Sequence, residues 1–177
     1  MLDGHFHFGN VKVALGAEPD LLWSIGSFLV EMGAELSVCV TTTRSPLLER
    51  MPTSEVLIGD LEDLERLAQA ADCDLLMTHS HGRQAAERLG KPLFRLGIPM
   101  FDRIGNAHKV YVGYRGTRNF IYEAGNLLMD QIHHHHADDW PLPASSRAAV
   151  AQVPREVFLP ARIGRLSRPD PLAEASA

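Results

Sequence analysis

Two histidines one residue apart, His79 and His81, stand in the stretch DLLMTHSHGRQAAERLG, residues 74–90. An apolar run, Leu75-Leu76-Met77, precedes them and a helix-like segment follows. Imidazole is the commonest metal ligand, so metal binding is the chemistry to weigh first. A bound transition metal needs three or four ligands. His-x-His supplies two, and no acid or cysteine lies nearby at standard spacing. The pair therefore reads as hydrogen-bonding or interface side chains, with contact to a non-metal ligand as the alternative. In a parallel α/β sheet, ligands bind in the crevice at the strand C-termini. Residues 78–83 should lie there, so His79, Ser80, His81 and Arg83 are candidate crevice or interface residues. Arg103 and His108, farther along, join them.

The other chemistry-bearing residues are weaker candidates. His5 and His7, in HFHF, would share one face of an extended segment but lack a third ligand. The run His133–His136 is expected to close a long helix, where the dipole favours protonated imidazole. Cys39 and Cys73 make no disulfide framework and read as small buried hydrophobes. A reducing cytoplasm is the compartment expected from this cysteine usage. No Ser-His-Asp or Cys-His set can be assembled from spacing. There is no GxGxxG after the first strand and no Walker A loop. Glu18 and Asp20 instead flank the first crossover-helix N-terminus, where acids suit the dipole but repel a phosphate.

These residues need elements to position them. VKVAL (11–15), LSVCVT (36–41), EVLI (55–58), residues 74–78 and LFRL (93–96) read as strands. Between them, Pro19 opens a helix and Gly33 closes it. Asp60 caps a second helix, and Gly90 closes a third. Thr42 to Pro52 reads as a loop or short helix. Strand and helix alternate with short connections, which predicts an α/β fold in three layers. The sheet is expected to be mainly parallel, with about four to five strands flanked by helices. Tyr111–Tyr114 reads as one more extended piece. From about Thr117 a long C-terminal helix carries Phe120, Ile121, Ala124, Leu127, Leu128 and Ile132 on one face.

The sequence of 177 residues bounds the rest. A formal charge of −5 and a pI of about 6.0 give no electrostatic reason to expect nucleic acid. No run of 18 or more apolar residues is present, so no membrane partner is expected. The polar, acidic N-terminus does not read as a signal peptide. Charge is uneven: residues 55–74 hold seven acids and one base, whereas residues 83–118 hold eight bases and two acids. Two solvated faces are one reading; a basic face toward an anionic ligand or partner subunit is the other. Residues 1–136 read as one domain. Residues 137–177 contain six of the eleven prolines without periodicity and read as a disordered tail.

Three segments, VKVALGAEPDLL with LVEMGAE, SHGRQAAERLGKPLFRLGIPMFDRIGNAHKVYVGYRG, and TRNFIYEAGNLL, carry a resemblance. Together they resemble the C-terminal domain of the nitrogenase component 1 family, in its branch for iron–molybdenum cofactor biosynthesis. The likeness runs from about residue 1 to residue 132, and residues 74–116 are its specific part. The resemblance implies a Rossmann-like domain, the last of three in each subunit, with Met1 at an internal position of a full-length member. It implies a cytoplasmic scaffold for cofactor assembly, not catalytic alone, within a family of oxidoreductases. The implied partners are NifE and the remaining domains of its own subunit, in a heterotetramer. Iron–sulfur clusters and the cofactor precursor would belong to that whole complex, and no cofactor or metal is expected in this domain alone. Cys39 and Cys73 do not match the cluster cysteines, which lie in the N-terminal domains. The stretch matching the cofactor-histidine loop of the catalytic α subunit, Arg103-Ile104, carries no histidine, and His108 is out of register. At the strand end family members show Asn-Ser-His-Gly or Asn-Ser-Tyr-Gly, which turns His79 and His81 toward hydrogen bonding and packing. Two rival readings are a single-domain nucleotide-binding reductase and a metal carrier using the histidine run.

Overall fold

The computed structural model describes residues 2–139, with side chains from 5 to 131 apart from residue 107. The chain divides into a unit of residues 1–139 and one of residues 140–177, and the second lies outside the described residues. The reading of residues 137–177 as a tail therefore falls almost wholly outside them. In chain order the elements are α1 (Leu2–Phe8), β1 (Lys12–Gly16), α2 (Pro19–Glu31), β2 (Glu35–Thr41) and β3 (Leu57–Ile58). Then come α3 (Leu61–Ala71), β4 (Leu75–Thr78), α4 (Arg83–Leu89), β5 (Leu93–Arg95) and α5 (Gly113–Asp139). Short 3₁₀ turns occupy Pro46–Arg50, Ser80–Gly82 and Asn106–His108.

The five strands form one sheet in the order β3-β2-β1-β4-β5, and every pairing is parallel. This is the α/β architecture expected from the alternating pattern. Strand alternation sends successive side chains to opposite faces. Val13 and Leu15 of β1 enter a core with Leu22 and Leu29 of α2 and Phe120, Ile121 and Ala124 of α5. Ala14, between them, enters a second core with Leu64 and Ala68 of α3 and Ala85 and Ala86 of α4. Each fully buried Leu or Phe contributes about 1.5–3 kcal/mol relative to exposure. Phe120 is the hub of the first core. Its ring meets Phe94 at 4.8 Å, Phe28 at 5.5 Å and Tyr111 at 5.9 Å between centroids.

A bulge lets β2 serve both cores. Val13 pairs with Leu36, but Ala14 pairs with Val38, so Ser37 is the extra residue. Its hydroxyl donates to the Val13 carbonyl at 3.2 Å. Leu36 thus packs on the first core and Val38 in the second, although they are two residues apart.

The helix ends follow local chemistry. Gly33 leaves α2 at φ +92° and Gly90 leaves α4 at φ +63°, conformations that cost little without a Cβ. Asp60 accepts hydrogen bonds from the backbone N–H of Glu62 and Asp63, and the Asp63 carboxylate accepts from the Asp60 N–H. That reciprocal arrangement fixes the start of α3.

Three local expectations are corrected. HFHF is not extended: it lies in α1, where a two-residue spacing puts His5 and His7 on different sides of the helix. Burial of Phe8, fully inside the first core, outweighs the weak local pattern. Tyr111–Tyr114 is not a strand either; α5 begins at Gly113. The helix continues through His133–His136 to Asp139 instead of ending at the run.

Candidate functional site

The order of strands reverses between β1 and β4, and loops leaving their C-termini part to opposite sides of the sheet. Ligand crevices form at such points. A cavity of about 290 Å³ opens there. Its floor is Gly16, Thr41 and Thr78, the last residues of β1, β2 and β4. Its walls include Leu21, Leu61, Leu64 and Leu96, and its rim carries Glu18, Asp20, Asp60 and His79.

Gly16 keeps the floor open, because a Cβ there would stand 2.6 Å from Leu64 Cδ2 and 3.4 Å from Thr78 Oγ1. Thr41 and Thr78 are 2% and 0% exposed, and neither hydroxyl has a hydrogen-bond partner among the described residues. Buried hydroxyls are normally paired, since leaving one unpaired costs about 1–3 kcal/mol. Glu18 leans over the crevice and accepts from Thr42 Oγ1 at 3.3 Å. Among the described residues, no lysine or arginine lines the cavity. Burial pushes His79 below the ordinary imidazole value, neighbouring His81 adds to this, and Glu18 opposes it. The rim is therefore acidic, with a histidine biased toward its neutral form. This environment disfavours the phosphates of a nucleotide.

The six candidates from the sequence do not converge on one site. His79 lines the crevice. Its Nδ1 accepts from the His81 N–H at 3.4 Å, and the rings meet edge to face at 5.4 Å. His81 points outward against Phe101, at 5.0 Å between centroids. Ser80 is buried and ties the following loop: its Oγ donates to Asp102 Oδ1 at 2.6 Å and accepts from the Phe101 N–H at 3.1 Å. Asp102 also takes a fork from Arg95, Nε to both oxygens at 2.9 Å and Nη2 to Oδ2 at 2.7 Å.

Arg83 and Arg103 line a separate groove between α4, β5 and α5, of about 430 Å³. Arg83 reaches Glu87 at 3.8 Å, a weak exposed pair. His108 sits on an exposed 3₁₀ turn away from both cavities. Among the described residues, no group of three or more His, Cys, Asp or Glu is placed to hold a metal ion. The side chains of His133–His136 lie outside that set.

Thr41, Thr78 and Gly16 are crevice residues that spacing did not raise, and Glu18 was raised only as an acid at a helix N-terminus. A signal exists in the sequence. VCVT and LLMT each end an apolar strand on a threonine, and both threonines reach the crevice floor.

The basic segment acquires partners. Arg88 pairs with Glu65, Lys91 with Asp72, Arg95 with Asp102 and Lys109 with Glu123. The first two join the basic stretch to the acidic one between α3 and α4. Among the described residues, Arg103, Arg115 and Arg118 make no ion pair. In the same stretch of chain, Ile98, Phe101, Ile104, Val110, Val112 and Tyr114 are exposed. No helix of the described residues is long and apolar enough to cross a membrane.

Residues 1–129 match the family model for nitrogenase component 1 type oxidoreductases. The chain is 58% identical over 143 residues to the nitrogenase iron-molybdenum cofactor biosynthesis protein NifN of Bradyrhizobium diazoefficiens, covering 81% of this chain and 30% of that protein. It is 38% identical over 134 residues to the NifN of Klebsiella pneumoniae, covering 76% and 29%. A solved structure of nitrogenase Cp1 at pH 6.5 superposes with a TM-score of 0.69 at 27% identity, covering 74% of this chain and 31% of the other. The chain thus spans about 30% of the length of the curated relatives that it matches.

Proposed function

Since this chain belongs to the nitrogenase component 1 type oxidoreductases, we propose that it is the C-terminal domain of a NifN-type subunit and serves iron–molybdenum cofactor assembly. The observation that carries this reading is the 58% identity to a NifN protein across 81% of the chain. Its role is structural: a Rossmann-like body that presents a docking face to NifE and to the remaining NifN domains. The cofactor precursor and iron–sulfur clusters are carried by that larger assembly, and this domain ligates neither.

The loop after β5, together with the first turn of α5, is the best candidate for the docking face. Exposed apolar side chains are Phe101, Ile104, Val112 and Tyr114, interleaved with Arg103 and Arg115, which make no ion pair among the described residues. Aromatic residues and arginine are enriched at the centres of protein interfaces. Lys109 is a poorer candidate, because Glu123 holds it at 2.6 Å.

Co-expression of the chain with NifE and the missing NifN domains, followed by pull-down and sizing, tests the reading. A stable complex is expected, and Arg103→Ala is expected to weaken it about 5- to 30-fold, equivalent to 1–2 kcal/mol. Absence of any association would remove the proposal.

A further inference from the structure

We propose that the free edge of β5 is a docking groove for an extended acidic segment of a partner protein, which joins the sheet as a sixth strand. The inference stands on the fold and is independent of the cofactor-assembly reading.

The edge is open. β5 is the last strand of the sheet and pairs only with β4. The Pro92 carbonyl accepts from the Leu76 N–H at 3.0 Å, and the Leu96 N–H donates to the Thr78 carbonyl at 2.9 Å. Alternate residues of a strand turn their backbone polar groups to opposite sides. Pro92, Phe94 and Leu96 therefore face β4, and Leu93 and Arg95 face away from it. Among the described residues, no hydrogen bond engages the backbone of Leu93 or Arg95. Their N–H and carbonyl groups are left in register for a further strand.

The edge is also a slot. α4 packs in the second core and α5 in the first, so the two helices flank the sheet on opposite faces. The groove of about 430 Å³ touches Ala86 and Gly90 on the α4 side, Leu127 on the α5 side, and Leu93 and Arg95 between them. It thus straddles the edge of the sheet, with the outer side of β5 as its floor. A smaller groove of about 170 Å³ shares Leu93, Arg95 and Leu127 and continues it toward Tyr111.

Charge selects the occupant. Arg83, Lys91, Arg95 and Arg103 line the groove against Glu87 and Asp102. The Arg95 fork engages Asp102, and Asp72 holds Lys91. That leaves Arg83 and Arg103 facing Glu87 alone, a positive excess. A second copy of β5 would bring these bases against themselves. Residues 140–177, with five arginines and three acids, would be repelled as well. An acidic segment of another chain is attracted. Its side chains would alternate between the two helical layers. Toward α4 they meet Arg83, and toward α5 they meet Leu127. Acidic and apolar residues in alternation fit this arrangement. In such strand addition, main-chain hydrogen bonds supply affinity and alternate side chains supply specificity.

Fluorescence anisotropy with the full chain and a labelled, end-blocked hexapeptide of alternating glutamate and valine tests the proposal. A Kd below about 1 mM is expected, and a lysine–valine hexapeptide should bind at least about tenfold more weakly. Two further peptides carry N-methyl groups, one on every valine nitrogen and the other on every glutamate nitrogen. Only one of these two sets of N–H groups can face β5, so their affinities should differ at least about fivefold. The Arg83 side chain is half exposed, so Arg83→Glu should leave the circular dichroism spectrum unchanged. It should weaken binding of the glutamate peptide at least about fivefold. Absence of binding at millimolar concentration, equal binding of the lysine peptide, equal affinities of the two N-methylated peptides, or unchanged affinity in Arg83→Glu would each overturn the proposal.

Discussion

Asp102 joins three parts of the chain: the end of β4 through Ser80, the end of β5 through Arg95, and its own loop. The Arg95 and Asp102 side chains are only 13% and 11% exposed. Removing one partner from such a pair leaves a desolvated charge behind. Asp102→Ala is expected to cost about 3 kcal/mol in urea denaturation, and Ser80→Ala about 1 kcal/mol. Hydrogen bonds from Arg95 first, then Ser80, hold the Asp102 carboxyl well below the usual carboxylate range. Its folded-state value is depressed, so its contribution is complete above the unfolded value, about pH 4. It is lost as pH falls through the folded value. Stability should therefore decline in acid, and Asp102→Asn should flatten that decline. Burial pushes the Cys39 thiol up to about 12 and also raises Cys73. Both should resist thiol reagents at neutral pH and label on unfolding. Residue types revealed this inert role for the cysteines, but not the threonine floor. A threonine ending a strand announces its hydroxyl, not whether the fold supplies a partner.

Elements were legible where burial and periodicity agree. Apolar runs at β1, β2 and β4 are buried on both faces, so composition alone marks them. The bulge at Ser37 was not legible, since it depends on register with β1. Nor was α1, a seven-residue helix secured by one buried phenylalanine. α5 starts at Gly113, four residues before Thr117, although Gly113 and Gly116 are poor helix formers. Gly116 has a tertiary reason: a Cβ there would stand 2.5 Å from the Tyr111 carbonyl carbon and 2.9 Å from its Cα. Backbone cannot swing aside as a flexible side chain can. Gly116→Ala is expected to destabilise by about 1–3 kcal/mol. Gly125, in the same helix, has nothing within 4 Å of a built Cβ. Gly125→Ala should stabilise by about 0.8–1 kcal/mol. Thermal melts of the two variants should move in opposite directions.

At the scale of the whole molecule, strand–helix alternation forecast the layers, and the specific block at residues 74–116 forecast the family. The separation of His79 from Arg83 and Arg103 was hidden, because it depends on the turn at Ser80–Gly82 and on the packing of α4 into the second core. Charge asymmetry likewise resolves only in three dimensions, where Glu65–Arg88 and Asp72–Lys91 join α3 to α4 and its exit. The loop after β5 and the first turn of α5 remain the outward-facing feature. Ile104→Ser with Tyr114→Ser should leave the urea midpoint nearly unchanged, within about 0.5 kcal/mol per exposed site. If the proposed docking face is right, the same double variant lowers affinity for NifE and the NifN domains. Loss of stability without loss of association would return these side chains to a purely internal role. Leu96, Gly97 and Ile98 line the crevice, while the chain from Ile98 to Ile104 forms the exposed loop, and Ser80 with Asp102 fastens the two. Any change that filling the crevice makes to docking affinity must be matched, factor for factor, by a change that docking makes to crevice affinity. The strip between β5 and its loop would be the place where two equilibria become one.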